Sequence, residues 1–208
     1  MNQMEALQRI QQLGVSSFES RDVSALLQVS PANASMLLGR LAKRGLVRRL
    51  TRGRWGIGEP TAALLAEQVA APSPTYVSLQ SALFRHGVIE QVPGMTYAAT
   101  LGRARKIRTP RGTVSVHRIP PELFGGFELA DDGAKVATAE KALFDLIYLS
   151  PTRSRLFVKL PETEFPRSFK WAEANRWAKL IRGKSRRAFV EKKLAEMRQA
   201  SERQRADA

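Results

Sequence analysis

The chain has 208 residues, with 34 Lys and Arg against 19 Asp and Glu, two His and no Cys, for a net charge of +15. The lack of cysteine excludes a disulfide framework, Cys-ligated zinc, an iron–sulfur centre and thiol catalysis, while the 43% hydrophobic content permits one large or two small folded domains. No apolar run approaches the roughly 18 residues of a membrane span, and Met1-Asn2-Gln3-Met4-Glu5 lacks the basic flank and apolar stretch of a secretory signal, so the expectation is a soluble, cytoplasmic protein with no membrane role. The charge is uneven: residues 1–58 carry a net +6, residues 59–150 zero and residues 151–208 a net +9. Two basic ends around a neutral middle point to a polyanionic partner, nucleic acid foremost; the bland alternative is a basic protein kept soluble by its charge.

Met4, Leu7, Ile10 and Leu13 recur at helical spacing and Gly14 ends the run. A short linker containing Phe18 follows, and Val23, Leu26 and Leu27 mark a second helix beginning near Arg21-Asp22. Ser30-Pro31 is a strong helix start, because Ser caps an N-terminus and Pro is tolerated in the first turn. Ala34, Leu37, Leu38 and Leu41 form the buried stripe of the third helix, which Gly45 ends. Leu46 to Leu50 then reads as a strand, Thr51-Arg52-Gly53-Arg54 as a turn and Trp55-Gly56-Ile57 as a returning strand. Two short helices joined by a tight turn and followed by a basic hairpin predict a winged helix-turn-helix over residues 1–58.

With the apolar stripe turned inward, Ala32, Asn33, Ser35, Met36, Arg40 and Lys43 face outward. Asn33 suits adenine and Ser35 either strand, at the N-terminal half of a reading helix, while Arg40 and Lys43 suit phosphate. Arg48, Arg49, Arg52 and Arg54 would let the wing grip the backbone or enter a minor groove. The competing reading is a winged helix used for protein contact.

Residues 59–75 read as a short helix, Thr61 to Val69, and a Pro-rich linker, Ala70-Ala71-Pro72-Ser73-Pro74. Residues 76–150 read as a small mixed α+β domain. Its predicted elements are a helix over Ser78 to His86 ending at Gly87, strands around 96–100, 105–109 and 113–119, a hairpin over 127–137 turning at Asp131-Asp132-Gly133, and a helix capped by Thr138. No catalytic constellation stands out. His86 and His117 lie on separate elements, and Glu128, Asp131, Asp132, Glu140 and Asp145 only imitate a nuclease carboxylate cluster, since a turn and a helix first turn account for most of them. The expectation is a protein that is not an enzyme, with no metal and no cofactor; a metal-dependent nuclease is the less favoured alternative.

Tyr76-Val77-Ser78-Leu79-Gln80-Ser81-Ala82-Leu83-Phe84-Arg85-His86-Gly87, followed by Gln91-Val92-Pro93, resembles a stretch characteristic of AbiE-type antitoxins. Ala137-Thr138-Ala139-Glu140-Lys141-Ala142-Leu143-Phe144-Asp145-Leu146-Ile147-Tyr148 resembles their second signature, commonly Pro-Glu-Lys-Ala-Leu-Leu-Asp-Leu, with Ala139 where the family often has proline. The resemblance runs from the winged helix to about residue 150. It implies the transcriptional-regulator half of a bicistronic abortive-infection system used against phage. The family's winged helix binds inverted repeats in its own promoter and represses the operon; its C-terminal domain counters a nucleotidyltransferase-like toxin, directly or functionally, and contributes to holding DNA. The motif residues Tyr76, Leu79, Leu83, Leu143 and Leu146 themselves read as core.

Residues 151–208 read as a basic helical extension. Leu156-Phe157-Val158 leads through Pro161 and Pro166 to a helix from Phe169 with Trp171, Ala174, Trp177, Ala178 and Ile181 on one face. After Gly183 a second amphipathic helix carries Phe189, Val190, Leu194 and Met197, and the last ten residues, without a stripe, read as frayed. Three roles compete for the tail: packing on the middle domain with its charges offered to DNA, binding an acidic toxin surface, or lying on a membrane, against which Glu173, Glu191 and Glu196 argue. Further candidate phosphate contacts are Arg103, Arg105, Lys106, Arg108 and Arg111 in the middle region and Lys184, Arg186 and Arg187 in the tail. The leading expectation is a DNA-binding autorepressor and antitoxin of α+β class. The alternative from another class is a protein- or RNA-binding antitoxin module without specific DNA binding.

Overall fold

A computed structural model describes residues 2–131, 133–151 and 162–206. Its helices and strands form a mixed α+β structure around two hydrophobic cores. The first core belongs to helices α1 (Gln3–Gln11), α2 (Ser20–Leu27) and α3 (Pro31–Lys43) and to strands β1 (Ser17–Glu19), β2 (Arg48–Thr51) and β3 (Arg54–Gly56). Asn2 and Glu5 cap the first helix reciprocally, and Ser30 Oγ accepts from the Asn33 N–H at the start of the third. Ala6, Leu7, Ile10, Val23, Leu27, Ala34, Leu38 and Leu41 meet Phe18, Val47 and Trp55 inside. Met4, expected on the buried stripe, is 48% exposed, and Ala6 takes the inward place.

The strands form an antiparallel sheet in the order β1-β3-β2, with Phe18 opposite Trp55 and Arg49 opposite Trp55 on its other side. The first strand falls where the sequence reads as a linker. Three residues are too few to display a period of two, and its partner lies 35 or more positions away.

The second core is larger. Helix α4 (Ala62–Ala70), capped by Thr61, buries Ala63, Leu65, Ala66, Val69 and Ala70, so the segment that reads as helix and linker contributes to this core. A six-stranded mixed sheet follows the order β6-β7-β5-β4-β9-β8, from β4 (Thr75–Val77), β5 (Thr96–Thr100), β6 (Arg105–Thr109), β7 (Gly112–Arg118), β8 (Phe127–Leu129) and β9 (Lys135–Ala137). The β5–β7 and β4–β9 pairs are parallel and the others antiparallel. Helices α5 (Leu79–Arg85), α6 (Ala139–Leu149), α7 (Trp171–Lys179) and α8 (Lys184–Ala206) complete the layer. Strand β4 is buried at every position, which erases the alternation that would have marked it. Tyr76, Leu79, Leu83, Leu143 and Leu146 are all fully buried. Ala139 is the first helical residue of α6, a place where proline fits equally well.

Inside this core Lys141 and Asp145, one turn apart on α6, form a fully buried ion pair. Asp145 Oδ2 also accepts from the Tyr76 hydroxyl at 2.9 Å and the Ser78 hydroxyl at 2.7 Å. The Lys141 ammonium lies 4.6 Å from the Trp177 ring centroid and 4.8 Å from that of Phe144. Burial pushes the Lys141 pKa down against the pull of Asp145, and burial followed by the Asp145 charge pushes the Tyr76 hydroxyl well up. One polar cluster thereby ties β4, α6 and α7 together. A side chain at Gly126 would run into Trp177 and Lys141.

The C-terminal helices are part of the fold. Phe165, Phe169, Ala174, Ala178, Ile181, Val190 and Leu194 are buried in the second core, with Trp171 and Trp177 packed against it. The expectation of a frayed end fails as far as Ala206. Ser201 is buried, Arg198 pairs with Glu202 one turn on, and Arg205 donates to the Phe165 and Pro166 carbonyls. Helix α8 thus continues without an apolar stripe because long-range polar contacts hold it. Leu156-Phe157-Val158, Pro161, Asp132 and residues 207–208 lie outside the described residues. No described helix is long and apolar enough to cross a membrane.

Candidate nucleic-acid interface

Between Asp22 and Glu59 the chain contains no Asp or Glu, while Arg40, Lys43, Arg44, Arg48, Arg49, Arg52 and Arg54 all fall in that stretch. Local structure arranges these cations on two neighbouring elements. Gln28 adopts a left-handed conformation, φ +53°, and the Ser24 hydroxyl donates to the Val29 carbonyl at 2.7 Å, which closes the tight turn between α2 and α3. The third helix then turns Ala34, Leu38 and Leu41 inward, and Ala32, Asn33, Ser35, Met36, Arg40 and Lys43 are distributed over its outer side, where Met36 is 54% exposed. Met36 is an unbranched apolar side chain on an otherwise polar and small outer face. Arg44, outside the set of residues expected to face outward, is exposed at the C-cap. Its position just past the helical stripe was the available signal.

The four arginines of the β2–β3 hairpin differ from one another. Arg52 and Gly53 form its tip, where Gly53 has φ +77° and Arg52 is exposed. Arg49 lies over the Trp55 ring, 5.9 Å from its centroid, and the Trp55 indole donates to the Ser20 hydroxyl at 2.9 Å. Arg54 is only 13% exposed in its side chain and pairs with Glu19, which also holds Arg21 at 2.8 Å. Arg48 pairs with Glu59. Two of the four are therefore engaged with carboxylates that are 35 and 11 residues away, pairings that no local pattern reveals.

A second basic surface adjoins the first. Strand β6 is the edge of the large sheet and contacts β2. Arg103 just before it, Arg105, Lys106 and Arg108 along it and Arg111 in its turn are exposed. Charged side chains also protect an unpaired edge from joining another sheet. Arg105 reaches the Ala70 carbonyl, and Arg111 donates to the Pro60 carbonyl at 3.0 Å and lies 3.8 Å from Glu59. Leu50 of β2 is buried in the second core, and the Gln68 amide donates to the Ser16 carbonyl at 3.1 Å, so the hairpin is seated against the larger body.

The tail cations are divided. Lys184 is exposed, whereas Arg186 donates to the Tyr148 carbonyl and covers its ring, and Arg187 donates through two nitrogens to the Ile181 carbonyl behind α7. These two guanidinium groups face inward, onto the fold.

The carboxylates that imitate a nuclease are dispersed. Asp145 is locked in the buried cluster, Glu140 accepts from the Lys170 N–H, and Glu128 and Asp131 are exposed. No group of three or more His, Asp or Glu among the described residues is arranged to hold a metal ion. His86 Nε2 lies 2.8 Å from the Ala137 carbonyl oxygen, to which it donates, and His117 sits beside the Ser115 hydroxyl at 2.9 Å. Burial, with a smaller contribution from Lys106, pushes the His117 pKa down to about 4.

No family model and no curated protein matches this chain.

Proposed function

We propose that the chain is a DNA-binding transcriptional autorepressor whose residues 1–58 act as a winged helix-turn-helix, with α3 as the reading helix and the β2–β3 hairpin as the wing. The carrying observation is the acid-free stretch between Asp22 and Glu59, folded so that the outer side of α3 exposes Arg40, Lys43 and its small polar residues and the hairpin that follows exposes Arg49 and Arg52. Asn33 and Ser35 on the first turns of α3 suit base edges, and Arg40, Lys43, Arg49 and Arg52 suit phosphates. The exposed cations Arg105, Lys106 and Arg108 of the edge strand and Arg103 just before it extend the backbone contact, and Lys184 adds one from the tail.

The same proposal carries the antitoxin role. The two motifs that resemble AbiE-type antitoxins supply the buried cluster of the second core: Tyr76 and Ser78 come from the first motif and Lys141 and Asp145 from the second. Motifs that interlock in space belong to one structural unit, which supports reading them as one inheritance. On that reading the partner is a nucleotidyltransferase-like toxin in a phage-defence operon, the targets are inverted repeats upstream, and the chain acts by binding in the cytoplasm without catalysis.

A reporter placed under the chain's own upstream region tests the proposal. Wild-type protein represses it, and Asn33→Ala together with Arg52→Ala relieves repression. In the same cells it protects against a neighbouring nucleotidyltransferase-like reading frame. Full repression by the double variant would remove α3 and the wing from the account, and no protection would remove the antitoxin role.

A further inference from the structure

Glu59 joins the two basic hairpins. Its Oε1 lies 2.5 Å from Arg48 Nη2 at the start of the wing, and its Oε2 lies 3.8 Å from Arg111 Nη1 in the turn between β6 and β7. It is the first carboxylate after a stretch of 36 residues that has none. The pairing differs in kind from that of Glu19 with Arg54. The Arg54 side chain is 13% exposed, and its pair braces β3 against the start of α2. The Glu59 side chain is 70% exposed, and its two arginines are 33% and 45% exposed. Arg111 also keeps an independent anchor on the Pro60 carbonyl. Its place therefore does not depend on Glu59, and what Glu59 chiefly adds between the two guanidinium groups is charge.

Arg48, by hydrogen bond and by charge, and then Arg111 hold the Glu59 carboxyl below the usual range, so it is ionised wherever the protein is folded near neutral pH. A carboxylate presents a guanidinium group with the same charged oxygen acceptors as a phosphate. Exposed ion pairs are weak and screened by salt, so a phosphate can displace this one. After displacement the carboxylate remains beside the phosphate and opposes it. We propose that Glu59 competes with DNA phosphate for Arg48 and Arg111, and thereby sets how strongly a chain of net charge +15 holds any duplex. This rests on the DNA-binding reading above. The effect is independent of base sequence, because phosphate contacts carry no sequence information. It would keep the protein from being trapped on non-cognate DNA, where binding is electrostatic throughout.

The test is Glu59→Gln, which keeps the shape and removes the charge. Affinity for a scrambled duplex is measured by fluorescence anisotropy across about 50–200 mM salt, with thermal melting to verify the fold. The expected result is roughly tenfold tighter binding at about 100 mM salt and a salt slope steeper by about one to two, near one unit for each additional phosphate neutralised. In an Arg48→Ala/Arg111→Ala background the same change is expected to do almost nothing. An undiminished gain in that background would show a bulk charge effect and overturn the inference. So would unchanged or weaker binding by Glu59→Gln, and by Glu59→Ala as a second variant, while wild-type protein binds DNA with a steep salt slope; the DNA-binding reading would survive that outcome. A wild-type protein that binds no duplex would remove both.

Discussion

Asp145 accepts hydrogen bonds from Lys141, Tyr76 and Ser78, all inside the second core. Removing one charge of such a pair leaves the other buried and uncompensated, so Asp145→Asn is expected to cost about 3–5 kcal/mol in chemical denaturation. A loss below about 1 kcal/mol would mean that the cluster is incidental. His117 gives a pH signature. Its folded pKa of about 4 lies below the ordinary 6.5, so the unfolded chain binds more protons between those values. The His117 contribution is fully present above about pH 6.5 and is lost as pH falls toward 4. The stability difference between wild type and His117→Gln should therefore change across that window and level off above it. The arginines of the β2–β3 hairpin separate likewise. Arg52→Ala should lower the salt slope of DNA binding by about one with the melting temperature unchanged. Arg54→Ala, which strips Glu19 of its recessed partner, should chiefly lower the melting temperature. Equal effects on the slope would place Arg54 on DNA after all.

At the scale of elements, the sequence announces what is periodic and capped and hides what is short or held from afar. Helix α3 is legible from Ser30-Pro31 and the Ala34, Leu38, Leu41 spacing, and α6 from Thr138 and its apolar run. The outward residues of α3 follow from the same period, so the candidate reading face is legible with it. Strands β1 and β4 are hidden, since three residues carry no period and their partners are remote. The ion pairs of Arg48 with Glu59 and of Arg54 with Glu19 are hidden because no local pattern announces them. The end of α8 shows the opposite error: a segment without an apolar stripe is helical because Arg205 reaches the Phe165 and Pro166 carbonyls and Ser201 is buried. Deleting residues 200–208 should therefore lower the melting temperature by several degrees, roughly 2–4 °C for each kcal/mol lost in a chain of this size. An unchanged melting temperature would mark that stretch as dispensable.

Over the whole molecule, the charge is uneven and the two cores are joined. Leu50 in the second core, the Gln68 bond to Ser16 and the Glu59 pairings with Arg48 and Arg111 seat the β2–β3 hairpin on the edge of the large sheet. On the proposed reading, helix α3 supplies discrimination, and the wing and edge strand supply backbone grip. A single reading helix covers one half-site, so an inverted repeat calls for two copies. Specific recognition is tested by titrating the protein against its own upstream DNA and a scrambled duplex at about 150 mM salt. A preference of about a thousandfold or more for its own DNA is the predicted result. Equal, steeply salt-dependent binding to both would contradict specific recognition and leave only an electrostatic hold.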